Sequence, residues 1–264
     1  MSSFRLRLGT IVTAGVVAAG LLLMNSAVSL GSANYVCTGG SIPGGSYASI
    51  RVEGFCTVDA GTVTVQSRVV VAKGGGLAAA FGGSHLRVGG NLRVNAHAIL
   101  VLGCEASEFP CFNDDQQNPT MNSGARIGGS LVVDGALASL VHLTRVGHDV
   151  VQTGGGGGVN CNAQTALQGS PAYATYEDLT VGGSMWILGF RSCWLGLIRD
   201  TVGGSVTFSN NVVADPDGNE LVSNTIGSDL VCFANSPAPQ VGDSHGARNV
   251  VGNRAYGQCR HLVR

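Results

Sequence analysis

Charge is scarce in this sequence. Only 12% of its 264 residues are Asp, Glu, Lys or Arg, about half the usual quarter, and lysine is nearly absent: Lys73 stands alone beside 14 arginines. With 44% hydrophobic residues, so weakly charged a chain has the apolar surface for a core, which excludes intrinsic disorder. The charge totals show no basic footprint for nucleic acid. Beyond residue 33 there are 13 basic residues against 16 acidic ones, a net charge of −3, so nucleic acid is excluded as a partner.

Other absences narrow the chemistry. No C-x-x-C and no zinc-type Cys/His spacing occurs, which argues against metal thiolates. The Asn-Thr-Asp and Arg-Ile-Lys signatures of pectin-type hydrolases are missing. "GGGGG" at Gly154 to Gly158 is followed by neither Lys-Ser nor Lys-Thr, so it cradles no phosphate and reads as a hinge. After the N-terminal segment no stretch shows helical apolar spacing.

What is present begins with an export signal. "MSSFRLRLG" carries two arginines and no acid, Ile11 to Met24 is an apolar run of 14, and small residues follow in "NSAVSLGSA"; this is the three-part plan of a secretory signal. Cleavage is expected near Ala33, with Ser29 the alternative, leaving residues 34–264 as one domain. If the signal were retained, Ile11 to Leu30 would just span a bilayer, the one route to a membrane. All eight cysteines lie beyond the cleavage point. An even number in an exported chain points to disulfides. The sequence alone permits 105 pairings; if repeats touch only their neighbours, short-range pairs are favoured, namely Cys37 with Cys56, Cys104 with Cys111, Cys161 with Cys193 and Cys232 with Cys259.

The abundant residue is glycine, at 41, and it recurs in a phrase. "VGGNLRV" from Val88 is echoed by "IGGSLVV" from Ile127, "VGHDVVQ" from Val146, "VGGSMWI" from Val181, "VGGSVTF" from Val202 and "IGSDLVC" from Ile226. The starts are 39, 19, 35, 21 and 24 residues apart, three near twenty, one near twice that and one carrying an insertion. A period in the twenties marks a solenoid. Apolar residues alternate with small or polar ones, as in Leu131 and Val133 against Val132 and Asp134, which is the period of a strand. The Gly-Gly between the two apolar stretches is expected to supply positive φ at a sharp corner. Beside it, Asn91, Ser130, Asp149, Ser184, Ser205 and Asp229 occupy one aligned position, where short oxygen-bearing side chains can bond nearby backbone and stack as a polar ladder. The expectation is an all-β chain, a right-handed parallel β-helix of roughly ten coils and about 45 Å, preceded by a signal helix.

"SIPGGSYASIRVEGFCTV", the repeated "VGGS" and the ending "LVCFANSPAPQVGD…NVVGNRAYGQC" resemble secreted, uncharacterised actinobacterial proteins of the right-handed parallel β-helix, pectate-lyase-like type. That resemblance implies a fold and an extracellular location, and no activity.

Function is sought in stretches that interrupt the beat, residues 103–124, 152–178 and 233–248, because loops on a rigid scaffold carry sites. Close acid pairs include Asp114 with Asp115 and Asp215 with Asp217. The first pair sits in a Cys-bounded loop and reads as solvated surface. "DPDGNE" offers Asp215, Asp217, Asn219 and Glu220 as oxygen donors for Ca2+ around the turn at Gly218, or else a plain polar turn; no other cofactor is expected. "GDSHG" matches the G-x-S-x-G elbow at Ser244 but lacks strand-to-helix flanks. The histidines are scattered, and His148, replacing a corner glycine, is expected to be exposed. Phe109, Phe112, Tyr173 and Tyr176, with Trp194, are candidates for a platform facing a glycan or a surface protein, whereas Trp186, inside a repeat, is expected to pack there rather than join it. The reading is a secreted or cell-surface structural or adhesive protein without catalysis; the alternative is a polysaccharide lyase or hydrolase on the same scaffold.

Overall fold

The computed structural model describes residues 33–163, 169–242 and 246–264, and the expected signal helix falls outside them. The described residues are all strand, turn and loop, with no helix. Two large parallel sheets, of 17 and 8 strands, and a small pair at Arg191–Ser192 and Val212–Val213 share the chain. The chain passes repeatedly from one large sheet to the other, and each strand pairs with its counterpart one repeat away rather than with its sequence neighbour.

The phrases lie in register. Val88 pairs with Ile127, Ile127 with Val146, Val146 with Val181, Val181 with Val202, and Val202 with Ile226. Ile226 in turn pairs with Val251, so "VGNRAYG" is a seventh copy, hidden because Asn and Arg replace the second glycine and the short polar residue. The strands after the corner stack ten layers deep, through Cys37, Val52, Val71, Val94, Val133, Gln152, Ile187, Phe208, Cys232 and Gly257. The spacing of 39 between the first two phrases is one repeat with residues 103–124 inserted, not two repeats, because Ile127 pairs directly with Val88.

The core follows from the alternation. Along Leu131–Asp134 the burial runs buried, half-buried, buried, exposed, and the inward residues of all layers form one apolar cluster dominated by Val, Ile and Leu. Stacking identical side chains along parallel strands buries each against its counterparts above and below, at about 25 cal/mol per Å² of apolar surface. Disulfides Cys37–Cys56 and Cys232–Cys259 staple the first and last layers, which have a neighbour on one side only; Cys104–Cys111 and Cys161–Cys193 close the insertions. Several disulfides in one chain are typical of extracellular proteins.

The Gly-Gly corners do not work by positive φ. None of Gly89, Gly128, Gly182, Gly203 or Gly227 has it. They are needed for close approach: a Cβ on Gly203 would sit 2.6 Å from the Gly182 carbonyl oxygen, and the equivalent atoms on Gly128, Gly182 and Gly227 would crowd the corner carbonyl below in the same way. The adjacent short polar residues do form a ladder. Ser130 N–H donates to Asn91 Oδ1 (2.8 Å), Ser184 N–H to Asp149 Oδ1 (2.9 Å) and Ser205 N–H to Ser184 Oγ (3.1 Å). The longer bonds from Asp149 and Asp229 N–H to Ser130 and Ser205 Oγ fill the other rungs (3.3 Å each).

Positive φ occurs at the other two corners, at residues such as Asn210 (57°) and Arg199 (57°). The next residue in each case carries a further ladder. Phe190 N–H donates to Asn211 Oδ1, Asn211 N–H to Asn235 Oδ1, and Asn235 N–H to Gln258 Oε1. At the third corner the rungs are Asp200, Asn224 and Asn249. Backbone groups that a bend would orphan inside the molecule thus find side-chain partners.

Candidate functional site

The 8-stranded sheet is apolar on both faces. Leu77, Leu100, Val141 and Tyr176 point inward to the main core, while Ala78, Ile99, Val101, Ala138 and Leu140, one residue out of phase, form a second cluster on the outside. An outward apolar face needs cover, and the insertion at 103–124 supplies it. Gly103 lets the chain leave its strand against the His142 carbonyl, where a Cβ would not fit. The Cys104–Cys111 bridge then folds the insertion back, with paired backbone bonds between Glu105 and Phe109.

The cover is incomplete. A half-open groove of about 340 Å³ lies over Ile99, Val101 and Leu140, walled by Phe55, Phe81, Phe109, Phe112 and Tyr173. Phe55 and Phe112 are 54% and 38% exposed, unusual for such side chains in a finished core. The rings meet edge to face, Phe81 with Phe112 at 5.4 Å and Phe109 with Phe112 at 5.8 Å. Thr57, Ser170 and Tyr173 bring the groove's few polar side-chain groups.

Behind Phe109 the face turns polar. The Phe109 ring stacks on His142 with centroids 4.6 Å apart and planes 4° from parallel. His142 and Glu177 are register partners on adjacent strands, and Nδ1 of His142 lies 3.8 Å from Glu177 Oε2 and 3.7 Å from Glu105 Oε1. Thr175 donates to Glu177 Oε1 (2.5 Å). Arg199, held in the left-handed region, reaches across to Asp178 (2.7 Å), Glu177 (3.2 Å) and Glu105 (3.8 Å). Its guanidinium is held above its ordinary value, chiefly by hydrogen bonding to Asp178, with burial opposing.

No family model, curated protein or solved structure matches this chain.

The structure brings Phe109, Phe112 and Tyr173 together in the groove. Tyr176 is elsewhere: it is fully buried in the core, its hydroxyl donating to Gln152, and burial pushes that hydroxyl well above the usual range. It is one residue out of phase with the outward face. Trp194 lies across Gly196, where a side chain would collide with its indole, and meets Tyr173 edge to face at 6.3 Å. Trp186 is half-buried within its repeat.

The four residues considered for Ca2+ do not converge. Asn219 and Glu220 are successive residues of one strand and point to opposite faces; Asn219 is in the core and donates to the Pro237 carbonyl. Asp215 makes a local turn, accepting from Asp217 N–H at 3.3 Å. It also approaches Cys161 and Cys193, whose sulfurs are bonded to each other and cannot ligate. Asp114 organises its insertion, its Oδ2 accepting from Thr120 and Met121 N–H at 2.7 Å each; these bonds hold its carboxyl below the usual value. Asp115, accepting from Gln117 N–H, is lowered in the same way. Ser244 lies outside the described residues. His148 is exposed at its corner.

Sequence reasoning missed Phe55, Phe81 and Leu140, because an outward apolar residue on a covered sheet looks like core. It also missed Glu105, His142 and Glu177. A usable signal existed: His142 and Glu177 each stand four residues ahead of the phrase valine, at 146 and 181, so alignment on the phrase places them in one column.

Proposed function

We propose that this chain is a right-handed parallel β-helix, exported and disulfide-stapled, that acts as an adhesive or structural surface scaffold and binds rather than transforms its partner. The observation that carries the reading is the aromatic groove on the outer face of the 8-stranded sheet, held open by a disulfide-closed insertion. Its lining favours an apolar group of the partner over a bare sugar, since sugar recognition needs an array of hydrogen-bonding side chains and this groove has few. The assay compares octyl glucoside with glucose and with soluble oligosaccharides by calorimetry. Octyl glucoside is expected to bind at one site, glucose not at all, and Leu140→Glu to abolish binding. Equal binding of sugar with and without the alkyl chain refutes the apolar-guest reading.

A second surface favours an anionic glycan. Arg87, Arg126 and Arg145 are register partners on three successive strands, all exposed, beside His85. Like charges stacked directly across strands destabilise a sheet, and a bound polyanion would relieve that cost. Retention on a sulfated or uronate-rich polysaccharide that falls with salt and with Arg126→Ser supports this surface. The same polysaccharides serve to test catalysis: released reducing ends or unsaturated products would replace the binding reading with a carbohydrate-active enzyme.

A further inference from the structure

The groove reading leaves the polar cluster behind Phe109 unused. Four carboxylates, Glu105, Glu108, Glu177 and Asp178, face one guanidinium, that of Arg199. With His142 neutral, the group carries three negative charges in excess. His142 is 2% exposed and Glu105 8%. Neither ring nitrogen of His142 has a hydrogen-bond partner, nor has Glu105 Oε1. Leaving such groups buried without a hydrogen bond is costly. The arrangement is also built: Thr175 holds one oxygen of Glu177 and leaves Oε2 toward His142, the Cys104–Cys111 bridge pins Glu105, and Phe109 shields a face of the imidazole.

We propose that Glu105, His142 and Glu177 form a binding site for a single divalent first-row transition ion, with Zn2+ the ion of choice. One donor atom from each of the three lies within 4.8 Å of the other two. A cation among them reaches all three at the roughly 2.0–2.2 Å that zinc takes to imidazole nitrogen and carboxylate oxygen after small adjustments. One nitrogen and two carboxylates suit zinc better than calcium, which takes six to eight oxygens. Three protein ligands leave a fourth position for water. Arg199, one-third exposed, keeps its bonds to Asp178 while yielding Glu105 and Glu177 to the ion. The dication brings the cluster from three excess negative charges to one.

The test is calorimetry of the full chain with Zn2+, Mn2+ and Ca2+. One Zn2+ per chain is expected, with Ca2+ at least tenfold weaker, and Glu105→Gln and His142→Asn are each expected to weaken Zn2+ at least tenfold. X-ray absorption of the zinc-loaded wild type adds a readout that does not depend on the variants folding. One imidazole with oxygen donors and no sulfur supports the site. Two or more imidazoles, which would place the ion on surface histidines, overturn it. So does the absence of a one-to-one equivalent, or Zn2+ affinity unchanged in both variants. Octyl glucoside binding is unaffected by Glu105→Gln whatever the zinc result, which keeps this inference separable from the groove.

Discussion

Asp200 is the rung at which a corner ladder is chemically wrong for a neutral solution. Its neighbours show what the position wants. Asn224 accepts from Asp200 N–H through Oδ1, and its Nδ2 donates to the Leu197 carbonyl (2.9 Å) and to Asn249 Oδ1 (2.8 Å). Asn249 repeats the pattern, donating to Leu221 O (2.9 Å). Asp200 accepts from Leu179 N–H through Oδ1, but its buried Oδ2 has no partner. Burial, opposed by the Leu179 N–H, raises its carboxyl well above the ordinary value of 3.8. The folded chain therefore holds a proton that the unfolded chain releases. Asp200's contribution to stability is full below 3.8 and is lost as pH rises through its raised value. Asp200→Asn supplies the donor permanently. Removing one unsatisfied buried acceptor is worth about 1–3 kcal/mol, or roughly 2–12 °C in Tm for a domain of this size. Urea or thermal unfolding of both proteins across pH is the assay. The variant should gain most at pH 7 and above and little near pH 3.5. A less stable variant at neutral pH, or a gain independent of pH, refutes the reasoning.

Further expectations follow from the same ladders and corners. Asn211→Ala orphans the buried Phe190 N–H and should cost about 1–3 kcal/mol for that group, read as a lower urea midpoint. Gly203→Ala sets a Cβ against the Gly182 carbonyl, a backbone atom that cannot swing aside, and should cost about 1–3 kcal/mol, whereas Ser205→Ala, which loses one long, part-buried rung, should cost less. Replacing Cys104 and Cys111 together by serine should leave the unfolding midpoint of the stacked layers nearly unchanged. It should also weaken octyl glucoside binding at least tenfold and open 105–123 to proteases.

The parallel stacking was legible because it is written locally. Alternation along Leu131–Asp134 and the recurring glycine corners need only neighbouring residues to be read, and the short-range cysteine pairs follow once repeats touch only adjacent repeats. The cause of the glycine requirement was not legible. Close approach at Gly182 arises from the corner of the preceding layer, a relation no single phrase contains. The groove was half legible: Phe109 and Phe112 stand out in an insertion, but Leu140 and Val101 carry the same residue types as inward positions and differ only in phase. Tyr176 failed for that reason, one residue out of step with Tyr173 and Thr175. Asn219 and Glu220 failed as joint ligands because adjacent residues of a strand face opposite ways. His142 and Glu177 meet through parallel register, and Glu105 reaches them only because the disulfide-closed insertion folds back over that face.

Residue-resolved mapping of a guest tests the binding account most directly. Two-dimensional NMR spectra of the chain titrated with octyl glucoside should show saturable shifts confined to residues around Phe55, Phe81, Val101, Phe109, Leu140 and Tyr173. Shifts centred on any other face, or none at millimolar guest, would contradict it.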